Sequence, residues 1–295
     1  MNYRELVIVR GGGDLATGTI YRLYKAGFRV LVLESAAPTA IRREAAFCEA
    51  VRLGSMDVEG VTARRVDLDS RQLEGCWDTG VIPVVIDEKA SAVRLLYPQV
   101  VVDAIIAKKN IGTNRSMAPF VVALGPGFRA GRRDDPEADV DVVIETMRGH
   151  NLGRLIYEGC AAPNTGVPGL IAGEGIRRVV HASSAGIIQN ISAIGDIVEE
   201  GQTIAWILPE DTASEERQTK DYISQDESGH GIPVHASLSG VLRGIIQDGF
   251  HVWEGMKIAD IDPRREQQKN CWTISDKARA LGGSVLEAID HYLYG

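Results

Sequence analysis

The chain has 295 residues, of which 44% are hydrophobic and 24% are charged, and its formal net charge is −8. This composition excludes a disordered or collagen-like chain, and the acidic balance argues against nucleic-acid binding, which needs a cationic surface. No apolar run approaches the roughly 18 residues that span a bilayer, and the first residues are typical of a strand rather than a secretory signal. Four widely spaced cysteines without a CxxC pair fit a reducing compartment. We therefore expect a cytoplasmic protein that binds neither membranes nor nucleic acid.

A glycine-rich turn near the start of the chain is the first candidate site. The run Leu6–Arg10 predicts a buried strand, residues 20–26 a helix, and Arg29–Glu34 a second strand. The turn between the first strand and the helix matches the dinucleotide fingerprint G-x-G-x-x-A. Glycines there let backbone N–H groups approach a phosphate, and an acidic residue at the end of the second strand can take ribose hydroxyls. The predicted cofactor-binding residues are Gly11, Gly12, Gly13, Asp14, Leu15, Ala16 and Glu34.

Two interpretations of this turn stay open. A doubly wound sheet needs glycine in a tight turn whether or not it binds a nucleotide. The carboxylate of Asp14 repels a neighbouring phosphate unless a cation bridges the two, and Arg10, just before the turn, could offset that charge.

Strand and helix patterns continue to alternate to about residue 145. The patterns predict helices at residues 41–51 and 90–97, and strands at residues 61–66, 82–87, 100–104, 119–124 and 140–145. Together these elements predict a Rossmann-like, mostly parallel sheet in a first domain at residues 1–160. Ligands of such sheets bind at the carboxyl ends of the strands.

A polar loop after the last of these strands is the second candidate site. Arg148, His150 and Arg154 fall within seven residues, and such a loop can give bidentate contacts to phosphate or carboxylate. We add these three residues to the predicted cofactor site, with a charged surface turn as the alternative. Other polar clusters are better explained as solvated surface, and we predict no metal site; these clusters are Lys108-Lys109, Glu44 with Glu49, and Asp134 with Asp135.

The C-terminal half contains an internal repeat. Residues 180–207 and 234–261 align at a constant offset of 54 without a gap, and 13 of the 28 aligned positions are identical. Each copy alternates short β-type runs with glycine turns, and repeats of this kind are units that cannot bury an apolar face alone. We predict that the two copies interlock into one small flattened barrel of short strands, in a domain at residues 161–265.

The repeated pattern, His181 to Ala205 in the first copy, resembles one half of a biotinyl/lipoyl-attachment domain. That resemblance implies a barrel-sandwich hybrid with two quasi-symmetric halves and a modified lysine on the hairpin between them. Here residues 208–232 form a polar stretch in place of the hairpin; Lys220 within it has no carrier-type motif, and Lys257 lies inside the second copy. We therefore expect a lipoyl/biotinyl-like barrel without covalent biotin or lipoate.

From about residue 6 to residue 290 the chain also resembles the YqeB family of selenium-dependent molybdenum hydroxylase system proteins. The segments that carry this resemblance are Arg10–Gly18, Ile41–Val51, Gly125–Phe128, Glu145–Arg154, Pro163–Gly169 and Ala280–Ile289. The resemblance implies a cytoplasmic bacterial accessory protein that helps mature these hydroxylases, with the hydroxylase or other maturation proteins as partners. It brings no catalytic residues with it, so the catalytic residues, if any, are unknown.

Three functions fit these observations, and whether the chain is an enzyme stays open. The first is a maturation factor that binds a nucleotide or a phosphorylated pterin such as the molybdenum cofactor. The second is an NAD(P)-dependent oxidoreductase, although no acid–base pair is apparent, and the third is a non-catalytic client-docking protein with an empty Rossmann fold. Cys48 and Cys76 could handle sulfur or selenium as thiolates, but buried structural cysteines are the simpler interpretation.

A C-terminal helix completes the predicted α/β fold. Ser275 is a suitable N-cap, and apolar residues recur at helical spacing from Leu281 to Ile289. We expect this segment, residues 266–295, to pack on the Rossmann-like domain, with Gly282-Gly283 allowing close contact. A homo-oligomer is left open.

Overall fold

The computed structural model describes residues 4–166, 173–209 and 231–295. These residues form two compact units. The first takes its residues from 1–40, 45–166 and 272–295, and the second from 41–44 and 167–271. Lys220 and the last three residues of the Pro163–Gly169 motif lie outside the described residues.

The first unit is built of parallel strands and helices in alternation. Its strands are β1 (Arg4–Arg10), β2 (Phe28–Glu34), β3 (Ser55–Val58), β4 (Val61–Arg65), β5 (Ile82–Ile86), β6 (Val100–Asp103), β7 (Phe120–Leu124), β8 (Arg129–Ala130), β9 (Val142–Ile144), β10 (Leu155–Ile156) and β11 (Gly159–Cys160). Its helices are α1 (Asp14–Lys25), α2 (Ala50–Leu53), α3 (Ser70–Asp78), α4 (Ser91–Leu96) and α5 (Asp276–Tyr294).

Nine of these strands form one sheet in the order β10-β9-β7-β6-β1-β2-β5-β4-β3. The strands β9 to β4 of this order run parallel, and the outer strands β10 and β3 are antiparallel to their neighbours. This confirms the predicted mostly parallel sheet. The six strands β5-β2-β1-β6-β7-β9 follow the 3-2-1-4-5-6 order of doubly wound sheets, whose switch point here lies between β1 and β6.

Helices cover both faces of the sheet, which explains the continuous apolar runs of its strands. Val7 and Val9 of β1 pack into the same core as Ile20 of α1 and Val285 of α5. Ile8, whose side chain points to the other face, packs into a second core with α3 and α4. Strands buried on both faces need apolar residues at every position rather than at alternate ones.

The predicted helix at residues 41–51 is wrong. Two short 3₁₀ turns (Arg43–Ala45 and Phe47–Glu49) precede α2, and residues 41–44 belong to the second unit. The backbone N–H groups of Phe47 and Cys48 donate to Thr17 Oγ1 (3.0 Å) and to the Gly12 carbonyl oxygen (2.8 Å). These N–H groups therefore bind the start of α1 instead of carbonyls four residues earlier, and the helical pattern is overridden by tertiary contacts.

The described residues of the second unit form two four-stranded antiparallel sheets. Its strands are β12 (Val179–His181), β13 (Gly186–Asn190), β14 (Ile197–Val198), β15 (Thr203–Leu208), β16 (Ile232–His235), β17 (Gly240–Ile245), β18 (His251–Val252) and β19 (Lys257–Asp262). The sheet orders are β12-β19-β17-β14 and β16-β15-β13-β18. Each strand of the first repeat has a counterpart in the second. The strands of the two repeats are mixed, so that each sheet contains two strands from each repeat.

Candidate functional site

The glycine-rich turn joins β1 to α1 at the carboxyl edge of the sheet. Gly11 has a φ of +92°, and a Cβ atom on it would lie 3.0 Å from the backbone of Ile105. A Cβ atom on Gly12 would lie 3.1 Å from the backbone nitrogen of Cys48, whereas one on Gly13 would meet nothing within 4 Å. The turn is thus packed tightly at its first two glycines and open at the third, where α1 begins.

Glu34, at the end of β2, supports this turn. One carboxylate oxygen accepts a hydrogen bond from the Gly12 N–H (2.7 Å), and the other accepts from the Ser35 N–H (2.7 Å). The carboxylate therefore fixes the turn, a role that the sequence pattern did not suggest. The predicted contact between Glu34 and a ribose stays a prediction.

A buried ion pair occupies the switch point between β1 and β6. Arg10 Nη1 lies 3.6 Å from Asp103 Oδ2, and both side chains are almost fully buried. The Thr113 hydroxyl donates to the same Asp103 oxygen (2.5 Å), and Arg10 also donates to Thr113. Burial raises the pKa of Asp103, while the bond from Thr113 and the charge of Arg10 act in the opposite direction. The charge of Arg10 is thus committed to Asp103 rather than to the glycine-rich turn.

The second predicted cluster, Arg148, His150 and Arg154, lies in the loop after β9, and its side chains differ in their contacts. Arg148 donates two hydrogen bonds to the carboxylate of Asp276, at 2.9 and 3.0 Å, at the first residue of α5. The side chains of His150 and Arg154 are exposed. Glu145 is buried, and its two oxygens accept from the backbone N–H groups of Met147 and Ala162, each at 2.7 Å. The loop is therefore fixed at its base by Glu145 and tied to α5 by Arg148.

Lys277, in the first turn of α5, is a half-buried cation that no sequence pattern singled out. Burial lowers the pKa of Lys277 and the charge of Arg148 acts in the same direction, while the carboxylates of Asp14, Glu145 and Asp276 oppose this shift. Lys277 therefore lies within electrostatic reach of both the glycine-rich turn and the loop after β9. A signal was present in the sequence, because a lysine in the first turn of a helix faces the positive end of the helix dipole.

Three of the four cysteines are buried, namely Cys48, Cys76 and Cys271, and Cys160 is exposed. Burial raises the pKa of the Cys48 thiol well above its usual value, and the carboxylates of Glu34, Glu49 and Asp14 raise it further. The thiol form of Cys48 is therefore favoured, which supports a structural role for this residue.

The described residues contain neither a cluster of metal-ligating side chains nor a membrane-spanning helix. Across residues 4–166, 173–209 and 231–295, no group of three or more His, Cys, Asp or Glu side chains is arranged to hold a metal ion. Within the same residues no helix has the length and apolar character needed to cross a bilayer.

The sequence is similar to that of a known protein over most of its length. No family model matches the chain. "Uncharacterized protein YqeB" from Escherichia coli (strain K12) is 46% identical over 285 residues, which are 97% of this chain. The chain belongs to the YqeB family. This confirms the predicted family, although the chain spans 47% of that relative's length.

Solved structures that align with the YqeB-family chain are distant. The ectoine utilization protein EutE (DoeB) from Ruegeria pomeroyi is 11% identical, with 88% of this chain and 85% of that chain covered and a TM-score of 0.24. An aspartoacylase family protein from Mesorhizobium loti is 8% identical, with the same coverage and a TM-score of 0.24. The succinylglutamate desuccinylase/aspartoacylase from Rhodobacter sphaeroides is 11% identical, with 89% and 87% covered and a TM-score of 0.27. At TM-scores this low, none of the three carries an argument about fold or activity.

Proposed function

We propose that this chain is an accessory protein in the maturation of selenium-dependent molybdenum hydroxylases, and that its first unit binds a nucleotide or a phosphorylated pterin such as the molybdenum cofactor. Family membership and the motif resemblance support the pathway. The geometry of the glycine-rich turn supports a phosphate-containing ligand, because this turn would bind the phosphate group.

The observation that carries the binding proposal is the open start of α1 at Gly13. Gly13 is the N-cap residue of a 12-residue helix, and as a glycine it supplies no side-chain cap of its own. Backbone N–H groups at such a helix start, together with the helix dipole, bind phosphate groups. The strand order places this helix start beside the switch point, where Rossmann-type sheets bind dinucleotides. The backbone at Gly13 and in the first turn of α1 thus fits a phosphate, whereas the carboxylate of Asp14 in the same turn opposes one.

The second unit, in this proposal, is a flattened lipoyl/biotinyl-like barrel that docks the hydroxylase or another maturation protein. The support is the exchange of strands between repeats, because two quasi-symmetric halves of a barrel-sandwich hybrid would place two strands of each half in each sheet. The proposal includes no covalent biotin or lipoate.

Ligand binding by variants of Gly13 tests the binding proposal. The residue has a φ of −63° and open space around its Cβ position, so both Gly13→Glu and Gly13→Gln fit the backbone. The two substitutions have nearly the same size, and only the first brings a negative charge to the phosphate position. The ligand is first identified on the native chain, by thermal shift and calorimetry with NAD(H), NADP(H), FAD, ATP, CTP and molybdopterin. We expect Gly13→Glu to abolish its binding and Gly13→Gln to weaken it less, with unchanged unfolding temperatures in both. Binding of native strength to Gly13→Glu contradicts the proposed site.

A second candidate is a non-catalytic docking protein whose nucleotide site is empty. The buried pair of Arg10 and Asp103 favours it, because these side chains and Thr113 fill the switch point itself. Co-purification of a molybdenum hydroxylase with the chain, without a thermal shift from any nucleotide or pterin, would support this candidate over the first. NAD(P)-dependent turnover of a hydroxylated substrate would contradict both and support an oxidoreductase.

A further inference from the structure

A cluster of charged side chains surrounds Asp260 of β19 in the second unit, away from the glycine-rich turn. Asp260 is 2% exposed. Arg178 Nη2 lies 3.1 Å from one oxygen of its carboxylate, and Arg243 Nη2 lies 2.5 Å from the other. Lys257 Nζ lies 4.0 Å from the first of these oxygens. These contacts place three positive groups around one buried negative group.

Two irregularities in strand pairing bring two of these cations to Asp260. Arg243 is the extra residue where β17 shifts against β19, and it directly precedes the residue that pairs with Asp260. Ile258 is the extra residue where β19 shifts against β12. In a regular strand Lys257 and Asp260 would face opposite sides of the sheet, and the bulge between them reverses that alternation. The bulges therefore direct the side chains of Arg243 and Lys257 to the same carboxylate.

The first repeat shows that this part of the barrel forms without these charges. At the offset of 54, the positions of Arg243, Lys257 and Asp260 carry uncharged residues, namely Gln189, Thr203 and Trp206. Gln189 and Trp206 pair across β13 and β15, so the corresponding strands associate in the same way. The strand pairing of the fold therefore does not account for a charged cluster that is confined to one of two equivalent halves.

Two of the three cations are accessible from solvent. The side chain of Arg243 is 24% exposed and that of Lys257 is 43% exposed, whereas that of Arg178 is 5% exposed. With Arg178 left out of the count, two positive groups and the carboxylate of Asp260 leave one excess positive charge. A guanidinium carries five N–H donors in a planar fork, which matches a second carboxylate in both shape and charge. The accessible part of the cluster thus fits one further carboxylate.

We infer that Arg243 and Lys257 bind a carboxylate in an acidic segment of a partner protein. The inference rests on the docking role proposed for the second unit and gives that role a partner chemistry. Both cations are partly exposed on one face of a sheet, whereas small ligands are mostly enclosed in clefts, and arginine is enriched in protein interfaces. The net charge of −8 gives the chain no general attraction for an acidic partner, so such binding depends on this local cluster.

Fluorescence anisotropy with a labelled hexaglutamate peptide, at low salt, tests the inference on the full chain. We expect Arg243→Gln to weaken binding by roughly 10- to 100-fold, as for a lost charged hydrogen bond. Lys257→Gln should weaken it by about two- to fivefold, as for an exposed ion pair. Arg243→Lys keeps the charge without the planar fork and should lose less than Arg243→Gln. Lys269→Gln is the matched control, because it removes an exposed lysine from the same unit, and it should bind within about twofold of the native chain.

Thermal unfolding of each variant separates lost binding from lost folding. Arg243→Gln leaves Asp260 with Arg178 and Lys257, so the buried carboxylate keeps cationic partners and the unfolding temperature should change little.

Chemical acetylation of the native chain gives a readout that needs no variant. Limiting acetic anhydride, followed by peptide mass spectrometry, measures the reactivity of each lysine with and without hexaglutamate. Protection of Lys257, with unchanged labelling of the exposed Lys269, supports the inference. Absence of hexaglutamate binding overturns it, as does binding that neither weakens in Arg243→Gln nor protects Lys257. Equal binding of hexaglutamine also overturns it, and free glutarate that binds as tightly as the peptide overturns the assignment to a protein.

Co-purification separates the failure of this inference from the failure of the proposed docking role. A molybdenum hydroxylase that co-purifies equally with the native chain and with Arg243→Gln overturns the inference and leaves the docking role intact. Binding of hexaglutamate that protects Lys257, without any co-purifying hydroxylase, supports the carboxylate site and contradicts the hydroxylase as the docked partner.

Discussion

Gly282 of α5 lies against Gly18 of α1 so closely that a Cβ atom on Gly282 would sit 2.4 Å from the Gly18 carbonyl oxygen. This contact joins two helix backbones without intervening side chains. The helices therefore start at the same edge of the sheet, and Lys277 and Asp14 come within electrostatic reach of each other. Residues one turn away from the candidate site thus determine its arrangement of charges.

The first prediction compares two neighbouring glycines of α5. Gly282→Ala should lower the free energy of unfolding by about 1–3 kcal/mol, because its methyl group overlaps the backbone of α1. Gly283→Ala is the control, since a Cβ atom there meets nothing within 4 Å, and it should raise stability by about 0.5–1 kcal/mol through helix propensity. Urea unfolding of both variants measures the difference, and equal midpoints would contradict the close packing.

The second prediction concerns the ion pair at the switch point. Asp103→Asn should destabilise the chain by about 3–5 kcal/mol, because it leaves Arg10 buried without a counter-charge. The double variant Arg10→Met/Asp103→Leu should recover much of that loss, since an apolar pair of similar volume removes both buried charges. Denaturant unfolding of the single and double variants gives the coupling. A change below about 0.5 kcal/mol for Asp103→Asn would mean that the pair is not desolvated.

The third prediction is a pH dependence that Lys277 causes. Its pKa in the folded chain lies below the usual 10.5. Between those two values the unfolded chain binds more protons, so the contribution of Lys277 to the free energy of unfolding rises with pH. Lys277→Met should remove that rise, while Lys25→Met should keep it. Urea midpoints from pH 7 to pH 10.5 test this prediction, and parallel pH curves for the native chain and Lys277→Met would contradict it.

The fourth prediction concerns thiol chemistry. Cys160 is exposed, whereas burial raises the pKa of Cys48, Cys76 and Cys271. In the folded chain a thiol reagent such as DTNB should therefore titrate one cysteine rapidly, and Cys160→Ser should abolish that phase. The full reaction should return in denaturant. Rapid labelling of Cys48 would instead support a role for its sulfur in the proposed function.

The sequence predicted much of the first unit because strands buried on both faces have a strong local signal. The runs that form β1, β2, β5, β6 and β7 are continuous apolar segments rich in β-branched residues. Such segments are typical of parallel strands that are buried on both faces. The hairpin of β3 and β4 was missed in part, because its turn depends on positive φ angles at Glu59 and Gly60 rather than on a hydrophobic pattern. Helix α3 was also missed, although Asp69 caps it in the usual way.

The candidate site was less predictable because its contacts join distant parts of the chain. The fingerprint glycines can be found by motif, but the bonds from Gly12 to Glu34 and from Cys48 to Gly12 depend on the folded sheet. Lys277 and the glycine-rich turn lie near opposite ends of the sequence, and no local sequence pattern links them. The helix predicted at residues 41–51 was wrong for the same reason, since the backbone N–H groups of Phe47 and Cys48 donate to the start of α1.

The exchange of strands in the second unit has a consequence for how this chain is made. Neither sheet can be completed from one repeat, because β12 and β14 need β17 and β19, and β13 and β15 need β16 and β18. During synthesis the first repeat must therefore wait, with unpaired strand edges, until β19 has left the ribosome. An ancestor that encoded a single repeat would have met the same requirement by pairing with a second molecule, so gene duplication would have turned an intermolecular assembly into an intramolecular one.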